Sequence, residues 1–213
     1  MEYSLHHFVP QFYLSRFSDG DGLLWVYDKD SDRVFATTPR NLASERGFYA
    51  LPDSFPDPLL LEKQFSDLEG QAALITQDWL DQLASGDSVD IPDINREIMS
   101  LYLATQLLRT SEARTMLLQG LANPGVASSE DETQRGMHIF AMLWNDDLVS
   151  EIATWIHACT WMFSMNPSPK SLYTSDDPVK VRSRTRHLTW AQTSETGAYL
   201  GHSEKPLYCG IAI

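Results

Sequence analysis

Two adjacent histidines near the start of the chain, His6 and His7, are the first side chains whose chemistry suggests a site. Neutral imidazole is a common metal ligand and the usual general base near neutral pH. The aromatic, apolar run that follows predicts a buried segment, so the pair belongs to the fold and not to a terminal tag. On a strand the two side chains point to opposite faces, which favours a catalytic role for one of them. The alternative is a packed or hydrogen-bonded pair.

Carboxylates form the second candidate group. Asp176 lies in the sequence Ser-Asp-Asp-Pro at residues 175–178, where a carboxylate can bind a divalent cation or orient a histidine. An aspartate in such a sequence is equally a common turn former. Glu45 is a further candidate catalytic acid, and Glu69 lies near the apolar face of a predicted helix. The cofactor stays open, with a divalent metal as the candidate and His7, Asp176 and Glu69 as its ligands.

Substrate-binding candidates lie on a later predicted helix. Gln106 and Arg109 are three residues apart and share one face. An arginine there can hold a phosphate or carboxylate through two parallel hydrogen bonds. Gln11 and Arg16, in the histidine segment, are further candidates for this role. The alternative for Arg109 is an ion pair with an acid such as Glu69.

Composition limits the partners. The chain has 213 residues, 43% of them hydrophobic, and a net charge of −13. This size fits one domain, and no leader or long apolar run predicts secretion or a membrane span. We therefore expect a cytoplasmic protein. The acidic charge disfavours non-specific binding to duplex DNA, while a small phosphorylated ligand or RNA remains a candidate partner. Oligomeric state is left open.

The periodicities predict the elements that must position these residues. A β-hairpin is expected from Leu23–Tyr27 and Arg33–Thr37, and a strand at Arg46–Leu51. Apolar spacings of three and four predict helices over Leu59–Leu83 and from Pro92 past Arg114 to Leu121. Two more helices are expected near residues 130–144 and 146–163, with β elements after them, and we expect the terminal β pieces to come together. Three glutamates on or beside these elements fit a surface position as well as a catalytic role: Glu45, Glu62 and Glu69.

The expected fold is α+β, with a central layer of about four helices flanked by short β elements. It forms one domain over residues 1–213. Residues 1–57 carry the first motif and the hairpin, residues 58–166 are helical, and residues 167–213 are a C-terminal β region. No nucleotide-binding, zinc-protease or nucleophile-elbow motif is present.

Five segments carry motifs in a fixed order: His-His-Phe-Val-Pro-Gln-Phe-Tyr-Leu-Ser-Arg-Phe at 6–17, Ala-Ser-Glu-Arg-Gly-Phe-Tyr at 43–49, Leu-Glu at 68–69, Gln-Leu-Leu-Arg-Thr at 106–110 and Thr-Ser-Asp-Asp-Pro-Val at 174–179. Together they resemble a known family, the largely microbial proteins catalogued as domain of unknown function number 4238. The chain departs from the family at Asp177, where asparagine is usual. The resemblance implies no activity. It implies one recurring set of residues: His6, His7, Glu45, Gln106, Arg109 and Asp176.

Two functions are expected from these residues. The first is a phosphoester hydrolase acting on RNA or a nucleotide, with His6 or His7 as general base or metal ligand. Asp176, with Glu45 or Glu69, would bind a divalent ion or orient the histidine, and Arg109, assisted by Gln106, would hold the substrate. The second is a non-catalytic binding module, for example in microbial or phage conflict, in which the same residues form a buried polar network. The second predicts polar side chains satisfied by one another.

Overall fold

The fold is α+β, with helices forming the main core and small two-stranded sheets beside it. The computed structural model describes residues 5–51, 55–121, 139, 143, 146–163, 173–182 and 208–211. The helices are α1 (Gln11–Leu14), α2 (Leu60–Ser85), α3 (Asp93–Leu108), α4 (Ser111–Leu121) and α5 (Asp146–Ala158). The strands are β1 (Leu5–His7), β2 (Leu24–Asp28), β3 (Arg33–Thr37), β4 (Ser44–Arg46), β5 (Val179–Arg182) and β6 (Tyr208–Ile211).

The longest helix, α2, follows the predicted apolar stripe. Leu61, Phe65, Ala72 and Trp79 on this stripe are buried in the main core. Gly86 ends the helix with a positive φ of 83°, which glycine adopts without a Cβ clash. The Gly86 N–H donates to the Leu83 carbonyl and the Asp87 N–H donates to the Gln82 carbonyl, which together form a Schellman motif.

The second predicted helix is two helices, α3 and α4. Arg109 leaves the helical region with φ −94° and ψ 6°. Thr110 then starts α4, because its Oγ1 accepts a hydrogen bond from the Ala113 N–H at 3.1 Å. The expectation of one helix running past Arg114 is therefore wrong, and the break places Arg109 at the end of α3.

The main core forms where α3 packs against both α2 and α5. Arg96 on α3 fixes one end of α5, since its Nε donates to the His157 carbonyl at 2.8 Å and its NH2 to the Cys159 carbonyl. A cation at the carbonyl end of a helix is electrostatically favourable. Within the described ranges, no helix is long and apolar enough to cross a membrane.

The six described strands form three separate antiparallel pairs: β1–β4, β2–β3 and β5–β6. The β2–β3 hairpin matches the sequence prediction. The strand expected at Arg46–Leu51 is instead β4, which ends at Arg46 and pairs with β1 in the register His6 to Glu45. Described strands from the two ends of the chain share no sheet. The helix predicted near residues 130–144 lies outside the described residues, apart from the buried Ile139 and Leu143.

A second, smaller apolar cluster lies under the hairpin. It is formed by Val9, Tyr13, Leu14 and Leu24. Pro10 directly precedes α1 in an extended conformation. Partly buried aromatic side chains of the first motif contact both clusters. The histidine segment is thus held between the hairpin and the helices.

Candidate functional site

The β1–β4 pair separates the two histidines. His6 is fully buried, whereas its neighbour His7 is half-buried. This is the alternation that the sequence predicted for adjacent residues of a strand. The two side chains therefore meet different surroundings.

His6 faces Tyr49 and Glu62. The Tyr49 backbone N–H donates to His6 Nδ1 at 3.0 Å, and the two rings stack with centroids 5.7 Å apart. Glu62 Oε2 lies 4.0 Å from the same Nδ1. Because Nδ1 accepts a hydrogen bond, it carries no proton, and the contact with Glu62 is not an ion pair. The Glu62 carboxyl group therefore lies beside the unprotonated nitrogen of a neutral imidazole.

Glu62 is an acid whose pKa the fold changes strongly. Its side chain keeps 31% of its surface exposed. Burial, together with the negative charge of Glu69, raises its pKa to about 7, while Arg109 opposes the shift. A partly exposed carboxyl group that titrates near neutral pH is typical of acid–base sites.

Arg109 forms the centre of a buried network. Its Nε and NH2 donate to Gln106 Oε1 at 2.9 and 2.7 Å, and its NH1 donates to Glu69 Oε1 at 2.6 Å. The predicted alternative, an ion pair with Glu69, is confirmed. Gln106 also donates to the Phe8 carbonyl at 2.8 Å. The Tyr49 hydroxyl lies 3.1 Å from the His7 carbonyl and 3.4 Å from that of Arg109. We call His6, Tyr49, Glu69, Gln106 and Arg109 the buried polar network.

The pKa values of Tyr49 and Arg109 are both raised in this network, so the tyrosine stays neutral and the arginine stays charged. Burial raises the pKa of Tyr49 far above its ordinary value, so its hydroxyl stays neutral. Burial alone would lower the pKa of Arg109, but the negative charge of Glu69 and its hydrogen bond to the guanidinium oppose this, and the net shift is upward. Arg109 also lies over the Phe65 ring, 5.5 Å from its centroid.

Glu45 binds a second arginine. Arg114 on α4 donates to both carboxylate oxygens of Glu45, at 3.3 and 2.7 Å. The guanidinium carbon lies 4.3 Å from the centroid of the Phe48 ring. This pair joins β4 to the helix that begins after the break. Glu45 is thus near the network, but its carboxylate is engaged by a cation.

The half-buried His7 has both ring nitrogens occupied. Nε2 lies 2.9 Å from the Arg40 carbonyl and therefore donates, while Gln11 Nε2 lies 3.4 Å from Nδ1.

Arg16 donates a hydrogen bond to Gln77 of α2 at 3.2 Å. In the described part of the chain, its buried Nε has no hydrogen-bond partner. Gln11 and Arg16 therefore lie outside the buried polar network.

Asp176 lies on an exposed bend before β5. Within the described ranges it makes no hydrogen bond or ion pair with the other predicted site residues. Its neighbour Thr174 joins this segment to the first motif through a 2.7 Å hydrogen bond with the Tyr13 hydroxyl. Close by, a mainly apolar cavity of about 20 Å³ is bordered by Tyr13, Gln106 and Pro178. That volume holds about one water molecule.

The predicted metal ligands do not converge. Among the residues that the structure describes, no group of three His, Cys, Asp or Glu side chains could hold a metal ion. Glu69 binds Arg109, and His7 is hydrogen-bonded through both nitrogens. His7, Asp176 and Glu69 therefore form no ligand set in this arrangement.

Three residues outside the predicted site make contacts within it or beside it: Glu62, Tyr49 and Arg114. Glu62 and Glu69 are seven residues apart, which is two helical turns and places both on one face of α2. That spacing was the available signal for Glu62. Tyr49 and Arg114 had no comparable signal, because their contacts come from distant elements.

The polar contacts link the sequence segments that the family resemblance rests on. Residues 6–17 meet residues 43–49 through Tyr49, and residues 106–110 through Gln106. The chain belongs to the family described as protein of unknown function, DUF4238, whose model matches residues 5–202. No curated protein and no solved structure matches the chain.

Proposed function

We propose that the chain is a non-catalytic binding module whose recurring polar residues form a buried network that fixes its fold. The observation that carries this proposal is the engagement of Arg109. Its side chain is 1% exposed, and each of its three nitrogens donates to Gln106 or Glu69. An incoming phosphate would have to displace one of these partners from the interior. Removing a partner from a buried charge typically costs about 3–5 kcal/mol.

The connections made by the network support the same proposal. Gln106 ties α3 to the backbone of the first motif, and Tyr49 ties the segment after β4 to two carbonyls. Glu69 adds α2 through Arg109. Each bond joins elements that are distant in sequence, so the network sets their relative positions.

An activity screen with site variants tests the proposal. Wild type, His7→Ala and Asp176→Ala are assayed on bis(p-nitrophenyl) phosphate, nucleoside triphosphates and a single-stranded RNA oligomer, with and without millimolar Mg²⁺ or Mn²⁺. We expect no turnover that distinguishes wild type from the variants. Hydrolysis by wild type that disappears in a variant with unchanged melting temperature would overturn the proposal.

A second candidate, a phosphoester hydrolase acting on RNA or a nucleotide, is favoured by one observation. Glu62 combines 31% side-chain exposure with a pKa of about 7 and a position 4.0 Å from the neutral His6. A group with such a pKa exchanges a proton readily at neutral pH. In this candidate Glu62 acts as the acid or base, and burial, together with the charge of Glu69, keeps its pKa high.

The pH profile tests the second candidate. Hydrolysis of bis(p-nitrophenyl) phosphate should change with an apparent pKa near 7, rising with pH for a base and falling for an acid. Glu62→Gln should abolish that limb. A profile that Glu62→Gln leaves unchanged would remove Glu62 from the reaction. Thermal shift with Mg²⁺, Mn²⁺ and Zn²⁺ separately tests the metal-dependent form, because a metal that binds the native state must stabilise it.

A further inference from the structure

The outer face of the β2–β3 hairpin presents an apolar, aromatic surface to solvent. The register pairs Trp25 with Ala36 and Tyr27 with Val34 across the two strands. Because side chains alternate along a strand, these four residues share one face. Trp25 is 71% exposed, Tyr27 56% and Val34 66%. We call these four residues the hairpin face.

The opposite side of the hairpin already has a role. Leu24 is buried in the smaller apolar cluster, and Val26 packs against it. The inner side therefore anchors the hairpin, and the hairpin face is not needed for that packing. Contiguous exposed apolar residues of this kind mark interaction sites, and tryptophan and tyrosine are prominent among residues that dominate binding energy.

Hydrogen bonds fix the Tyr27 ring of the hairpin face and the turn beside it. The Tyr27 hydroxyl donates to Asp32 Oδ1 at 2.9 Å. The Asp28 carboxylate accepts from the N–H of Asp30 at 3.0 Å and from the Ser31 hydroxyl at 2.6 Å. A ring and a turn that are fixed before binding lose less conformational entropy on complex formation.

Charge indicates the chemistry of the partner. The turn beside the hairpin face carries Asp28, Asp30 and Asp32 against Lys29 and Arg33, and the whole chain has a net charge of −13. Indole and phenol faces attract guanidinium and ammonium groups, and neighbouring carboxylates strengthen that attraction. The same carboxylates repel the phosphates of a nucleic acid. A second copy of the chain would bring another acidic turn and so lacks this complementarity.

We propose that the hairpin face docks a basic segment of a partner protein, with arginine or lysine side chains over Trp25 and Tyr27 and near Asp30 and Asp32. This inference rests on the proposed function as a binding module. Long-range attraction between the acidic chain and a basic partner raises the rate of encounter, and the aromatic contacts give the complex its lifetime.

A labelled dodecapeptide of alternating arginine and leucine serves as the probe, and one of alternating glutamate and leucine as its control. Binding is followed by fluorescence anisotropy at low and high salt. We expect the arginine peptide to bind and the glutamate peptide not to bind. Trp25→Ala/Tyr27→Ala should weaken binding by about tenfold or more, the size expected when aromatic anchors are removed.

Two controls separate the hairpin face from general acidity. Tyr173→Ala removes an aromatic ring that is 89% exposed elsewhere, and it should keep wild-type affinity. Asp30→Asn/Asp32→Asn retains the oxygen that accepts from Tyr27, and it should reduce the salt dependence of binding. Circular dichroism confirms that each variant is folded, which is expected because the mutated side chains are exposed.

Several outcomes overturn the inference. They are equal affinity of wild type and Trp25→Ala/Tyr27→Ala for the arginine peptide, no binding of that peptide at all, binding of a uridine oligomer instead, or self-association in ultracentrifugation that the double variant abolishes. None of these results depends on catalysis. Turnover in the hydrolysis screen would instead contradict the proposed function itself, so the two failures are distinguishable.

Discussion

Glu62 couples the stability of the protein to pH in a direction that follows from its surroundings. Burial, with the nearby charge of Glu69, raises its pKa from 4.5 to about 7 in the folded chain. The folded state therefore holds a proton between these pH values that the unfolded state has released. The contribution of this group to the free energy of unfolding is therefore highest below the unfolded pKa of 4.5. It falls as the pH rises from there through the folded pKa of about 7.

Glu62→Gln should remove this loss. Glutamine resembles the neutral acid in shape, so we expect little change in the free energy of unfolding near about pH 5. Near about pH 8 the variant should be more stable by about 1–2 kcal/mol, a value reduced for the partial exposure of the side chain. Urea denaturation at both pH values measures the difference. Glu97→Gln, an exposed change of the same chemical type on α3, is the matched control and should change the free energy of unfolding by no more than about 0.5 kcal/mol. Equal stability of wild type and Glu62→Gln near pH 8 would contradict the shift.

Arg109 should prove structural when it is replaced by an uncharged side chain of similar length. Arg109→Met leaves Glu69 without its cation and Gln106 Oε1 without two donors. We expect a loss of about 3–5 kcal/mol in the free energy of unfolding. Because the two charges interact directly, Arg109→Met/Glu69→Met should lose less than the sum of the single variants. Strict additivity in denaturant unfolding would show that the ion pair does not couple α2 to α3.

The break between α3 and α4 depends on Thr110, which is buried and caps the N-terminus of α4. Thr110→Val keeps the shape of the side chain but leaves the Ala113 N–H without its acceptor. We expect a loss of about 1 kcal/mol, and up to about 2. Thr115→Val on the exposed side of α4 changes the same chemical group without a cap and should stay within about 0.5 kcal/mol. Thermal and urea unfolding check both. Equal effects of the two changes would show that the cap contributes nothing.

The elements that the sequence predicted well are those with strong local signals. The apolar stripe located α2 to within about two residues at each end, and two β-rich runs located the hairpin. The break at Arg109 was missed because the apolar spacing continues through it, while the cap at Thr110 needs only one side chain. The β1–β4 pair was missed because each strand is three residues long and gives no periodicity.

For the candidate site, too, the local patterns were predicted and the contacts between distant elements were not. Alternation predicted that His6 and His7 would differ, and the spacing of Gln106 and Arg109 placed both on one face. What each side chain contacts depends on elements far away in sequence. For Glu62 the sequence left a surface and a catalytic role open, because the burial that raises its pKa comes from elements distant in sequence.

At the scale of the molecule, the described residues form two apolar clusters of unequal size, and this difference should appear in hydrogen exchange. The main core is centred on α2, α3 and α5, whereas the buried members of the smaller cluster, among the described residues, are Val9, Tyr13, Leu14 and Leu24. Local opening is easier where fewer buried contacts must be broken. We expect the amides of β2 and β3 to exchange faster than those in the middle of α3, as measured by exchange with mass spectrometry or NMR.

Leu24→Ala tests how far the two clusters open independently. Leu24 is buried in the smaller cluster, so its truncation should speed exchange in β2 and β3 and leave most of α3 unchanged. Phe8 and Phe12 contact both clusters, so some loss of protection should also reach the first motif. Ala72→Gly, which weakens α2 within the main core, should have the reverse pattern and affect the helices first. If Leu24→Ala lowered protection equally in the hairpin and in α3, the hairpin would unfold only with the helices. The smaller cluster would then be an extension of the main core, because no local opening would separate the two.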